Sequence, residues 1–187
     1  AAGTGLIAWA NGGLTRATLI QSVLMTASAT AMIFFIVFGA SMYNGFLALS
    51  QLPQQAAAFI SGQGFNPWVV LVAILLLYLV LGCVMDSLSM ILLTVPIFFP
   101  IVTALDYGLP AEEFAIWFGI LILIVVEVGL ITPPVGMNLF VINSMARDIP
   151  IAQTYRGVVP FVISDMVRTA ILTLFPAISL FLVRWLY

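Results

Sequence analysis

Histidine is missing from the chain, and cysteine occurs once, at Cys83. Without histidine there is no imidazole-ligated metal and no histidine-based catalytic triad, and a single thiol excludes an internal disulfide. Charge is scarce as well. Only 6% of the 187 residues are charged, against roughly 25% in a soluble domain. After Arg16 the next charged side chain is Asp86, and the next Asp106. So thin a supply gives no support to nucleic-acid binding, and the net charge of -2 says little when most of the surface faces lipid. The N-terminal residues lack the basic stretch of a secretory signal peptide. The opening Ala-Ala-Gly-Thr-Gly, without an initiator Met, reads as a fragment or a processed chain.

What is present is apolar: 64% of the residues are hydrophobic and the mean hydropathy is +1.25. This is the composition of an integral membrane protein, with the lipid bilayer as its solvent. Five hydrophobic segments are expected. The first, Thr18 to Leu49, exceeds the roughly 20 residues that span a bilayer. A short interfacial helix follows over Gln51 to Ser61, and Gly62, Gly64 and Asn66-Pro67 then punctuate the chain. The second and third segments, Trp68 to Gly82 and Leu88 to Leu105, are separated only by Cys83-Val-Met-Asp-Ser87. Either they are two full spans with a tight turn, or they form a re-entrant hairpin. The first arm, Trp68 to Gly82, reaches about 22 Å, short of a hydrocarbon core of about 30 Å, which favours the hairpin. Pro96 and Pro100 weaken the returning arm as a regular span.

The fourth segment starts near Glu112 and Glu113, carboxylates suited to a helix N-terminus. It runs to Gly129, unwinds through Thr132-Pro-Pro-Val-Gly136, and resumes to Ala146. Two consecutive prolines remove two backbone donors, so the helix cannot pass through intact. Lipid tolerates a broken backbone only where it is buried in protein or lines a wet cavity. After Arg147-Asp148-Ile-Pro150, an amphipathic turn leads to the last segment, Val158 to Tyr187. Asp165 and Arg168, three apart, are placed to pair. These segments group as 1–66, the first span and its connector; 67–146, the hairpin and the broken helix; and 147–187, the loop and last span. Counting crossings puts Arg16, Arg147, Arg156 and Arg168 on one face, cytoplasmic by the positive-inside rule. Asp106, Glu112, Glu113 and Arg184 then lie outside, and Tyr187 ends in the periplasm of a Gram-negative host.

The break carries the chemistry. Freed carbonyls at Gly129 and Val135, with the Thr132 hydroxyl, are the hard oxygen ligands a small cation requires, and the hairpin tip from Gly82 to Ser87 faces them. The competing reading is a proline kink whose threonine bonds back to its own turn. Asp86 is either a ligand at membrane depth or an ordinary cap of the returning arm; Ser87 and Ser89 share that ambiguity. Glu127 is either a coupling site or a structural charge partner. Asn138 either contacts substrate or stabilises the helix restart. Trp68, Trp117, Trp185 and Tyr187 read as interfacial anchors, and Ala27-Ser-Ala-Thr30 as a helix-packing face.

Through Gly82-Cys-Val-Met-Asp-Ser87, the Pro96 and Pro100 pair, and Gly129-Leu-Ile-Thr-Pro-Pro-Val-Gly-Met-Asn138, the chain resembles the large membrane subunit of TRAP transporters (tripartite ATP-independent periplasmic transporters). The likeness covers the whole chain but only the C-terminal half of such a subunit. It implies an all-α integral membrane protein of the bacterial inner membrane, here one inverted repeat of a secondary transporter with a re-entrant helical hairpin and an unwound transmembrane helix. It implies no enzyme and no cofactor beyond a coupling ion. Sodium would bind at Gly82, Asp86, Ser87, Gly129, Thr132 and Val135. Substrate would lie against Ser89, Thr132, Pro133, Pro134, Gly136 and Asn138. The substrate would be a small carboxylate delivered by a periplasmic solute-binding protein, with a small TRAP membrane subunit bracing the scaffold. Glu127 looks like the C4-dicarboxylate branch rather than the sialic-acid branch. Competing readings are an ion-coupled anion carrier that works without a binding protein, an intramembrane protease using Asp86 or Asp165, and a purely structural subunit.

Overall fold

The computed structural model describes residues 2–10, 12–13, 15–145 and 150–186. The expected topology residues Arg147 and Asp148, the helix end at Ala146 and the anchor Tyr187 lie outside the described residues. All regular structure among those described is α-helical: α1 (Ala2–Ala10), α2 (Arg16–Ser50), α3 (Leu52–Gly62), α4 (Pro67–Gly82), α5 (Ser87–Thr103), α6 (Ala111–Ile131), α7 (Met137–Met145), α8 (Ile151–Leu174) and α9 (Pro176–Leu186). The chain divides into two compact units, Ala1–Met42 and Tyr43–Tyr187. The first holds α1 and most of α2, where the small residues Ala27 to Thr30 are exposed. Among the described residues three helices, α2, α6 and α8, are long and apolar enough to cross a membrane.

Local chemistry sets the helix limits in the second unit. Gln51 takes a left-handed conformation (φ 53°) between α2 and α3, with a proline following in the first turn. Asn66 caps α4 by accepting the Trp68 amide at 2.9 Å, ahead of Pro67. That proline loses nothing there, because a first-turn amide has no helical partner. Asp86 caps α5 in the same way.

Helix α6 is the hub: α4, α5, α7, α8 and α9 all pack on it. Its Trp117, Phe118, Leu121 and Val126 are buried against Leu71 and Tyr78 of α4 and Met90 and Val102 of α5. Helices α4 and α6 lie side by side and run the same way, with Trp68 beside Trp117 at one end and Gly82 against Gly129 at the other. The glycine contact is backbone on backbone. A Cβ built on Gly129 would stand 2.7 Å from Gly82 Cα and 2.9 Å from its carbonyl carbon. At the opposite end Tyr107 stacks on Phe114 with ring centroids 4.8 Å apart and donates to the Pro67 carbonyl at 3.0 Å. Burial pushes its phenol up to about 12, so it remains a donor throughout the physiological range.

Two expectations are corrected, and a third element is more regular than its prolines suggest. Pro96 and Pro100, expected to weaken the returning arm, both lie inside α5, which is helical throughout. Packing on α3 and α4 holds it, and Thr94 ties it to Tyr78 by a hydrogen bond of 2.7 Å. The last segment is not continuous, because α8 stops at Leu174 and the chain restarts as α9 after Phe175. Pro176 has no amide to offer the Leu172 carbonyl four residues back. Trp117, expected as an interfacial anchor, is fully buried, and its indole N–H donates to that same Leu172 carbonyl at 2.8 Å. A partly buried acceptor stripped of its helical donor is thereby satisfied from the neighbouring helix.

Two outcomes follow. Trp117→Phe keeps the aromatic packing but leaves the Leu172 carbonyl unpaired, and should cost about 1–3 kcal/mol, measured as a lowered unfolding midpoint in detergent. Gly129→Ala should destabilise by a further overpacking cost of about 1–3 kcal/mol, and by more than Gly82→Ala, whose added Cβ meets Gly129 Cα at 3.1 Å.

Candidate cation and substrate site

The two glycines bring two helix ends together. Helix α4 ends at Gly82 and α6 ends at Ile131, within a turn of the Gly82–Gly129 crossing. Both ends are C-terminal, so both present the negative end of a helix dipole; the turn after α4 already takes up the Leu79, Val80 and Leu81 carbonyls, and among the described residues those of Gly82 and Leu130 have no hydrogen-bond partner. The returning helix α5 begins a few residues beyond, at Ser87.

At the end of α6 the backbone comes apart in a way the prolines dictate. Pro133 and Pro134, joined by a cis peptide, have no amides for the carbonyls of Gly129 and Leu130. The Thr132 amide turns to Gly129 instead, at 3.0 Å. The Leu130 carbonyl is left without its helical donor. Thr132 is extended (φ -88°, ψ 129°), and its hydroxyl donates to the Val128 carbonyl at 2.6 Å. That bond is the one expected of a kink threonine, yet it uses the hydroxyl's only proton and leaves its lone pairs free to accept. Gly136 then takes a left-handed φ of 59° and turns the chain into α7. A Cβ there would meet Leu139 Cδ1 at 3.1 Å and the Thr132 carbonyl at 3.2 Å.

The remaining expected residues fall as follows. Asp86 is exposed, and its Oδ2 accepts both the amide and the hydroxyl of Ser89, each at 3.0 Å. Capping is therefore one function it performs, and Ser89 is its partner. Ser87, partly buried, is the first residue of α5. Pro133 is partly buried and Pro134 exposed, as is Asn138 in the first turn of α7. Glu127 is exposed on α6 and has no hydrogen-bond or ion-pair partner among the described residues. Asp165 and Arg168 pair at 3.0 Å. Glu113 and Arg184, both assigned to one face by counting crossings, form an ion pair with the guanidinium Nε 3.1 and 3.2 Å from the two carboxylate oxygens.

One residue went unremarked in the sequence. The Tyr155 hydroxyl, on the second turn of α8, lies 2.8 Å from the Pro134 carbonyl and 2.9 Å from that of Val135. In sequence it is a lone tyrosine 20 residues past the break. Asn143 of α7 was missed as well; its Oδ1 is buried without a hydrogen-bond partner among the described residues.

Comparison with known proteins gives a family. Residues 3–178 match the family model for the tripartite ATP-independent periplasmic transporter, DctM component. A C4-dicarboxylate TRAP transporter large permease protein, DctM, of Pseudomonas aeruginosa is 36% identical over 88% of this chain and 37% of its own length. The sialic acid TRAP transporter large permease protein SiaM of Vibrio cholerae is 32% identical over 90% of this chain and 38% of its own. The 2,3-diketo-L-gulonate large permease YiaN of Escherichia coli is 26% identical over 92% of this chain and 39% of its own. The chain thus spans little more than a third of the length of these relatives. No solved structure matches it.

Asp86→Asn keeps a capping oxygen and should leave stability within about 0.5 kcal/mol of the parent, whereas Asp86→Ala should lose about 1 kcal/mol. Thermal unfolding of the two variants side by side is the check.

Proposed function

The chain belongs to the DctM component family of tripartite ATP-independent periplasmic transporters, and from that premise we propose that it forms part of a large permease subunit driving sodium-coupled uptake of a small carboxylate. The family is one of transporter permeases and not of enzymes, which sets aside the protease reading. A C4-dicarboxylate is the substrate class we favour, on the relatedness to the Pseudomonas aeruginosa permease. The chain would supply the C-terminal repeat, and the rest of the permease the mate that covers its exposed faces.

A single observation carries the sodium assignment: two helix C-termini meet at the Gly82–Gly129 crossing, beside a proline break that strips donors from backbone carbonyls. Small hard cations are held by oxygens of this kind, and unwound membrane helices with opposed half-helix ends are where secondary transporters bind their coupling ions. The Leu130 carbonyl and the lone pairs of Thr132 are the ligands with least competition. Asp86 and Ser87, at the start of α5, contribute charge and a hydroxyl from the other arm. Carboxylate substrate would then lie over the cation, against Ser89, Pro133, Pro134, Gly136 and Asn138.

The membrane reading follows from lengths. Helices α4 and α5, of 16 and 17 residues, reach about 24 and 26 Å at 1.5 Å per residue, so their connection stops within a hydrocarbon core of about 30 Å. On this reading α4 and α5 are a re-entrant hairpin opening to the periplasm, with Glu113 and Arg184 outside and Arg156 and Arg168 at the cytoplasmic face of the inner membrane. Glu127, unpaired on an outward face of α6, would meet a residue of the remainder of the permease. A periplasmic solute-binding protein and a small membrane subunit complete the system, with the binding protein delivering substrate to the outer face.

Uptake of a labelled C4-dicarboxylate into proteoliposomes tests this, with the complete permease, its small subunit and the binding protein present. An inward sodium gradient should drive uptake and a potassium gradient should not. Thr132→Val should raise the half-saturating sodium concentration by about 10-fold, the scale on which disturbing a metal's surroundings lowers its affinity. Thr132→Ser should stay near the parent. Uptake that follows a proton gradient and ignores sodium would sink the proposal.

A further inference from the structure

The proline break has a partner outside itself. In a continuous helix the carbonyls of Pro134 and Val135 would accept from the amides of residues 138 and 139. Here α7 begins at Met137, and the Leu139 amide goes to the Gly136 carbonyl at 2.8 Å. The Tyr155 hydroxyl, 2.8 and 2.9 Å away, takes the place of those donors. Its donor proton serves both, which pins the orientation of two successive peptide planes in the segment that also carries Thr132.

We propose that Tyr155 is a positioning residue for the cation site: it orders the break from α8, so that Thr132 and the freed carbonyls upstream are aimed before a cation arrives. The proposal rests on the sodium-coupled reading above. Its physical content is preorganisation. A loop of prolines with unmatched carbonyls has several arrangements of similar energy, and a cation binding to only one of them has its affinity reduced by the fraction populated. A hydroxyl holding two of those carbonyls raises that fraction; it takes the carbonyl of Val135, an expected ligand, and leaves the Leu130 carbonyl and the Thr132 lone pairs to the ion. The tie also links the break to the segment just beyond the 146–149 connection, since Tyr155 lies only 5 residues past Pro150. Cation binding and the seating of α8 are therefore coupled, and by reciprocity whatever loosens α8 weakens cation binding by the same factor.

The test compares the parent permease with Tyr155→Phe in proteoliposomes, reading half-saturation by sodium separately from substrate KM at saturating sodium. The variant should need about 3- to 10-fold more sodium, the factor one hydrogen bond contributes, with substrate KM and maximal rate near parental values once sodium saturates. Replacing Tyr155 by 3-fluorotyrosine, which preserves the fold and strengthens the donor, should move half-saturation in the opposite direction. Unchanged sodium half-saturation in both variants overturns the proposal while leaving the sodium-coupled reading intact. Complete loss of the sodium response in Tyr155→Phe also overturns it, by making the hydroxyl a ligand. A parent permease indifferent to sodium removes the reading and the proposal together.

Discussion

An orphaned backbone carbonyl in apolar surroundings must find a donor, and this one constraint organises the second unit of the chain. Each interior proline deletes the amide that the residue four positions upstream would have used. In water the loss is made good by solvent. In a protein that presents so little polar surface, the replacement has to come from the protein. Pro176 deprives Leu172, and Trp117 of α6 answers it. At the break the Thr132 amide takes the Gly129 carbonyl that Pro133 cannot, and Tyr155 of α8 takes the carbonyls of Pro134 and Val135 just downstream. The Leu130 carbonyl lacks its helical donor, and on our reading that surplus of acceptors is what a cation completes.

The glycine crossing supplies the other half of the arrangement. Side chains at residues 82 and 129 would hold α4 and α6 apart by the width of a methyl group at least, and the two C-terminal ends would no longer meet. Removing them lets backbone touch backbone, which concentrates two negative helix ends where one would be ordinary. The same contact explains why α6 can be both the most buried helix and the one that comes apart: its anchoring by Phe118, Leu121 and Val126 ends just short of the residues that unwind.

Much of this was legible in the chain because capping and proline rules act within four residues. The Asn66-Pro67 start and the short arms on either side of Cys83 follow from local pattern; the stop before the two prolines, expected at Gly129, comes two residues later at Ile131, and a cap was one of two readings left open for Asp86. What stayed hidden depends on partners distant in sequence. Trp117 and Leu172 are 55 positions apart, and an aromatic near the start of an apolar segment reads equally as an interfacial anchor. The stop at Phe175 was hidden because the hydrophobic run continues across Pro176, interrupted only by Thr173 and Ser179. The helix through Pro96 and Pro100 survives on packing against α3 and α4, which no local propensity reports. Tyr155 carries no motif at all; only the fold brings it to the break.

Taken along its length, α6 is fastened to the α8–α9 arm by three bonds of unlike kind. An ion pair joins Glu113 to Arg184, an indole joins Trp117 to Leu172, and a phenol joins Tyr155 to the unwound segment beyond Ile131. Each answers to a different disturbance. Screening by salt weakens the first, water reaching the packed interior weakens the second, and a change in backbone shape at the break weakens the third. The arm is thus pinned along its whole length: α9 by the ion pair at the start of α6, α8 by the phenol past the end of α6, and the indole bond lies between them.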